Sequence, residues 1–188
     1  MPEDGLFKEF YQEAFPSVSP SLRAKFSSFL ASDALDHKWM YSANLRDELS
    51  QGDVCYAVPA FFFSDGDVRK SPPCPFILLQ HTCDMSVDGG TLRNKNYVFA
   101  PLFPLEMVEK YLNSDAIKKN FITHKVCLIS IPGIDSPHVV DLNMIGSIDS
   151  GWLHGSIQSG DIKRLASLSD SGFYFLLAKL TAHLLRAH

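Results

Sequence analysis

The alternation of apolar and polar positions divides the chain into a helical start, a strand-rich middle and a helical end. Leu6, Phe7, Phe10, Tyr11 and Ala14 recur at three- and four-residue spacing behind Asp4, a residue suited to cap a helix. Pro16 and Pro20 close that segment. Ser19 or Ser21 then opens a second helix with Leu22, Phe26, Phe29 and Leu30 on one side, ending near Asp33. Trp39, Met40 and Tyr41 form a satellite cluster, and Leu45 with Leu49 predicts a further short helix.

From Gln51 the period changes. Gly52-Asp53 is a turn, and Val54, Tyr56, Val58 and Phe61 to Phe63 are rich in strand formers. Ser64-Asp65-Gly66-Asp67 predicts a loop that Ser71-Pro72-Pro73 lengthens. Strands are expected at about Phe76 to Thr82, Tyr97 to Phe103, Val126 to Ile131 and His138 to Leu142, with one inserted helix from Leu105 to Asn113. Connections this short favour antiparallel pairing. Asp170 or Ser171 starts the last helix, whose residues Phe173, Phe175, Leu176, Leu177, Leu180, Leu184 and Leu185 form a wide apolar stripe, with Lys179, His183 and Arg186 elsewhere. That stripe packs on the core or on a partner subunit.

These elements predict an α+β fold: a small, strongly bent antiparallel sheet or SH3-like barrel from about Gly52 to Ile148, flanked by N-terminal helices and a C-terminal helix. One domain is expected over residues 1–188, made of a helical extension (1–50), a barrel-like core (51–149) and a helical end (161–188). A formal charge of -4 supplies no footprint for duplex DNA, and no apolar run approaches the length of a membrane helix. The acidic start Met1-Pro2-Glu3-Asp4 lacks the apolar region of a secretion signal, so a cytoplasmic protein is expected. Cys55, Cys74, Cys83 and Cys127 form no Cys-x-x-Cys pair, which points to reduced thiols.

Chemistry concentrates where Pro75-Phe76-Ile77-Leu78-Leu79 runs into Gln80-His81-Thr82-Cys83-Asp84. In an extended strand, Gln80, Thr82 and Asp84 would share one face and His81 and Cys83 the other. His81 could then serve as base to a Cys83 nucleophile. The structural alternative makes Cys83 a small buried core residue and has Asp84 cap the next turn through Ser86 or Val87. Cys74, His81, Cys83 and Asp84, joined by His124, His138 or Asp141, also have the chemistry of metal ligands, but none shows the paired spacing of a zinc site. No metal and no cofactor is therefore expected. Asp141 could point where Asp84 points and pair two carboxylates.

Three other features have ordinary explanations. Asp88-Gly89-Gly90 is a hairpin turn, Gly151-Trp152-Leu153-His154-Gly155 is a loop with a half-buried aromatic, and Lys118-Lys119, His124 and Lys125 are a solvated basic face.

Gly52-Asp53-Val54, the variable loop after it, the strand from Pro75 to Leu79 and the later Val98-Phe99-Ala100-Pro101-Leu102 follow the order of elements in MazF/PemK-like toxins, which the chain resembles over residues 51 to 103. The Gln80-x-x-Cys83-Asp84 ending is similar to an uncharacterised bacterial group that joins such a barrel to extra helices. The resemblance implies an SH3-like barrel, a dimer in many relatives, and RNA cleavage in many members. Those nucleases place an arginine before the apolar strand and a serine or threonine after it. Here Cys74 and Pro75 hold the first place, Thr82 approximates the second, and Arg69 and Lys70 lie in the loop.

The function expected on this basis is that of a toxin-like barrel binding a partner protein, or a second copy of itself, in a bacterial conflict or regulatory system. One alternative is an RNA-cleaving hydrolase in which Thr82, Asp84 and Arg69 or Arg93 polarise a phosphodiester. The other is a cysteine-dependent hydrolase or transferase with Cys83 as nucleophile, His81 as base and Asp84 or Asp141 as orienting group. In the binding reading the polar end of the Gln80 to Asp84 strand organises a pocket or interface.

Overall fold

The computed structural model describes residues 40–64, 66–118 and 124–184. The two helices expected before residue 40 lie outside the described residues, as do Trp39 and Lys119.

A curled antiparallel sheet forms the centre. Its strands are β1 (Val54–Ser64), β2 (Asp67–Leu78), β5 (Asn96–Pro104), β6 (Lys125–Leu128), β7 (His138–Asp141), β8 (Gly146–Asp149) and β9 (Lys163–Ala166). They run in the order β6-β7-β5-β2-β1-β9, with β8 also on β5. β5 joins the two halves: Asn96 to Phe99 pair with β8, while Leu102 to Pro104 pair with β7. Two further strands, β3 (Val87–Asp88) and β4 (Thr91–Leu92), make a separate hairpin. Its turn residues Gly89 and Gly90 both have positive φ, as the expected two-residue hairpin turn requires.

Both faces of the sheet are covered. Side-chain alternation sends Val54, Ile77, Ala100 and Leu102 to a core closed by Phe175 and Leu176 of the last helix, α5 (Asp170–Leu184). The intervening residues Cys55, Phe76, Leu78, Tyr97 and Phe99 pack on the opposite side against Leu153 and Ile157 of α4 (Ser150–Ser159) and against Met85. A third cluster, Leu105, Ile117, Cys127 and Val139, lies under α2 (Leu105–Val108) and α3 (Ser114–Lys118).

Several local expectations need correction. Ser71, Pro72 and Pro73 do not lengthen a loop: they continue β2, and the hairpin turn is confined to residues between Ser64 and Asp67. Pro73 stands opposite Pro59, two residues without an N–H, and the register shifts on both sides of that stretch of β1. No helix forms around Leu45, which is exposed, while Leu49 is buried. The helix expected from Leu105 to Asn113 is shorter, ending at Val108, and α3 begins only beyond it, where the Asn113 side chain accepts from the Asp115 and Ala116 N–H groups. β9 extends the sheet past Ile148 into what was expected to be helical sequence.

The segment from Gly151 to Gly155 is helical, not a loop. Asp149 accepts from the Trp152 N–H at 2.7 Å, and Gly160 closes the helix in the left-handed conformation. Lys125 is buried against Asp141, and so is no solvated base. Lys179, expected off the apolar stripe, is buried with its ammonium 5.9 Å from the centre of the Phe175 ring.

Candidate functional site

The apolar strand ends earlier than its sequence suggests. β2 stops at Leu78, and residues Thr82–Met85 form a single helical turn, α1. A turn leaves backbone donors without helical partners, and the reactive residues satisfy them. The Cys83 N–H donates to His81 Nδ1 at 3.2 Å. The Gln51 N–H donates to the Thr82 hydroxyl at 3.1 Å, and the Gln51 amide donates to the Leu79 carbonyl at 2.7 Å. Gln80 Nε2 donates to Asp84 Oδ2 at 2.8 Å. Ser86 donates to the Cys83 carbonyl at 2.9 Å.

The expected face alternation across residues 80 to 84 is therefore replaced by a turn. Cys83 is exposed and not a core residue. Asp84 caps no later turn through Ser86 or Val87; it binds Gln80 within the same turn. Because His81 Nδ1 accepts an N–H, the proton of its neutral ring sits on Nε2, and neither nitrogen has a lone pair to spare for a thiol.

The other candidates stand apart from this turn. Arg93 reaches Asp88 at 3.9 Å across the β3–β4 hairpin. Asp141 is ion-paired with Lys125 and accepts from the Asn143 N–H at 3.0 Å. Arg69 pairs through its backbone with Phe62. At about 3.3 Å per residue it lies roughly 30 Å along the strand from Leu78; its side chain is outside the described set. Cys74 is buried and donates to the Val58 carbonyl at 3.5 Å, and Cys127 is buried in the third cluster. Among the described residues no three His, Cys, Asp or Glu side chains gather as a metal site.

Behind the turn lies a cleft of about 220 Å³ lined by Asp47, Glu48, Leu49, Met85, Val87, His154, Ile157, Gln158 and Arg164. Met85 is buried, and its carbonyl is 3.2 Å from the hydroxyl of the fully buried Tyr97. The same hydroxyl lies 3.1 Å from His154 Nε2. A carbonyl can only accept, so the one phenolic proton goes to Met85 and the imidazole must donate to the tyrosine oxygen. Neutral His154 thus carries its proton on Nε2 and leaves Nδ1 bare. Burial holds the His154 pKa below its ordinary value and raises that of Tyr97, which keeps both groups neutral near pH 7.

The opposite wall is set by an ion pair. Arg164 donates to Asp53 Oδ2 at 2.9 Å and to the Glu48 carbonyl at 3.0 Å, with a longer contact of 3.4 Å to the Asp47 carbonyl. Asp53 is completely buried and also accepts from the Ser50 N–H at 2.9 Å. Burial raises its pKa, opposed by the Ser167 hydroxyl, by Arg164 and by the Ser50 N–H. This network fixes residues 47 to 49 against β9.

Sequence reading did not assemble these residues. Asp53 was visible only as a turn residue and His154 only as a loop residue. The signals that place His154 are the cap at Asp149, the left-handed Gly160 and the four-residue spacing of Leu153 and Ile157, which together bracket a helix. Comparison of the chain with models of known families and with curated proteins finds no match.

Proposed function

We propose that the protein is a binding component built on a toxin-like barrel, which acts by engaging a partner protein in a bacterial conflict or regulatory system. One observation carries this reading. The polar residues of the 80–84 segment are engaged in holding their own turn, and that turn presents Met85 and Val87 to a cleft with apolar walls and polar ends. Arg93, one cation that a phosphodiester reaction could use, is paired with Asp88 and not with Asp84. The resemblance of residues 51 to 103 to MazF/PemK-like toxins supplies the setting, and the curled sheet suits an SH3-like barrel.

The test is photo-crosslinking inside the native bacterium from position 158, an exposed cleft residue, with position 111, exposed after the end of α2 and outside the cleft lining, as control. A protein captured from 158 and absent from 111 is the expected result. Equal capture from both sites, or digestion of a mixed RNA pool that is lost in a folded Asp84→Asn variant, would overturn the proposal.

A further inference from the structure

The geometry points to a lysine side chain of the partner as the occupant of the cleft beneath the 82–85 turn: its stem would lie on Leu49, Met85 and Ile157, and its ammonium would meet His154 Nδ1 and the Asp47 and Glu48 carboxylates. This rests on the binding reading above and names the chemistry of the partner.

Size is the first constraint. A volume of about 220 Å³ falls below the range of roughly 300–1,000 Å³ occupied by drug-sized ligands and suits one long side chain. Both ends of such a side chain find their match. The walls include buried Leu49 and Met85 and half-buried Ile157, suited to a methylene stem.

The polar end is acidic: Asp47 and Glu48 line it beside His154. The proton count at Tyr97 leaves His154 with a bare Nδ1. Asp47 and Glu48 are exposed acidic residues of the lining, and among the described residues no cation pairs with the side chain of either one: Arg46 goes to Asp170 and Arg164 to Asp53. Among the described residues Arg164 is the only positive group lining the cleft, and its charge is matched by the buried Asp53 carboxylate. Two acidic residues without a cation partner among the described residues thus line the cleft, and an ammonium donates three hydrogen bonds. An anionic side chain would meet two uncompensated carboxylates.

The experiment is a chemical-shift titration of the full chain, uniformly labelled with nitrogen-15, using Nα-acetyl-lysine methylamide as probe. The norleucine and glutamate methylamides serve as comparisons. Saturable shifts at residues 47–49, 85–87 and 154–158 are expected with the lysine probe. Binding should be about tenfold weaker for norleucine, the worth of charge-assisted hydrogen bonds, and weakened to the same degree by the Asp47→Asn/Glu48→Gln variant. Norleucine binding as well as lysine, glutamate binding better, or no saturable shift at these residues would each overturn the proposal. A crosslinked partner at position 158 together with a failed lysine titration would remove the charge assignment alone and leave the binding reading standing.

Discussion

Replacing Arg164 by methionine tests the contact on which the cleft wall depends. Methionine keeps much of the apolar stem and removes the guanidinium. The fully buried Asp53, whose Oδ1 has no hydrogen-bond partner, would retain the Ser50 N–H and lose the one cation that pairs with it among the described residues. Removing one partner of a buried ion pair costs about 3–5 kcal/mol. A second route bounds the same quantity. The stranded carboxylate can escape by taking a proton, and holding a carboxyl of ordinary pKa protonated at pH 7 costs about 4 kcal/mol, at 1.36 kcal/mol per pH unit. The two estimates agree, so a loss of about 4 kcal/mol at pH 7 is expected. Water can replace the guanidinium at the carbonyls of Asp47 and Glu48, because both residues are exposed.

The escape route gives the effect a sign with pH. In Arg164→Met the folded-state pKa of Asp53 rises further above its unfolded value, so the folded state binds the proton first. Stability is then lost as pH rises through the window between those two values. At pH 5 the ceiling falls to about 1.5 kcal/mol. Urea unfolding followed by circular dichroism at pH 5 and pH 7 measures both numbers. Asp53→Asn/Arg164→Met, which has no carboxyl at position 53, should lose this difference between the two pH values. A cost below about 1 kcal/mol at pH 7, in the range of an exposed substitution, would refute the reasoning, as would an equal cost at both pH values.

Tyr97→Phe strands the Met85 carbonyl and the His154 Nε2–H, with an expected loss of about 1–3 kcal/mol. Nitrogen-15 spectra of the His154 ring should change from a fixed Nε2–H tautomer to a mixture, and an unchanged tautomer would sink the proton assignment. In the wild type, His154 should titrate below its ordinary value of about 6.5. Because its folded pKa is lowered, stability should be lost as pH falls from the unfolded value towards the folded one, and an NMR midpoint above 6.5 would contradict this. Cys83 should be the one thiol of four that reacts quickly with Ellman's reagent, since Cys55, Cys74 and Cys127 are buried and burial pushes Cys55 and Cys127 up to about 12. Two fast thiols would show that a core cysteine is accessible. Gly172→Ala would drive a methyl group into the Met40 main chain, so thermal melting should report a loss of about 1–3 kcal/mol or more; a neutral result would mean that residue 40 does not pack there.

The sheet was legible because its signal is local and repeated. Strand formers at β1, β5 and β7 alternate with the pleat, and Gly89-Gly90 demands a tight turn. The C-terminal helix was legible because its stripe is long. β9 was not: Lys163-Arg164-Leu165-Ala166 has no strand-rich composition, and pairing with β1 imposes its conformation. α4 was hidden by Gly151 and Gly155, whose poor helix propensity is overridden by two caps and by burial of Leu153.

The same contrast explains why the reactive-looking segment and the cleft are different things. Residues 80 to 84 follow a buried strand, and a chain that leaves a sheet in a tight turn must satisfy backbone donors at once. Histidine, threonine, aspartate and glutamine are side chains that can do this, so their clustering after β2 is what a turn selects, with or without chemistry. The cleft draws on residues 47 to 49, 85 to 87, 154 to 158 and 164, which no spacing rule connects. The tautomer of His154 in its lining depends on where the single proton of Tyr97 goes, and that is fixed by the Met85 carbonyl at the end of the turn. The 80–84 segment thus bears on the cleft through the backbone it holds in place. Its side chains should matter to binding only so far as they hold Met85: Cys83→Ser should leave the lysine titration unchanged, while Gln80→Ala, which frees Asp84, should weaken it without altering the shifts at saturation.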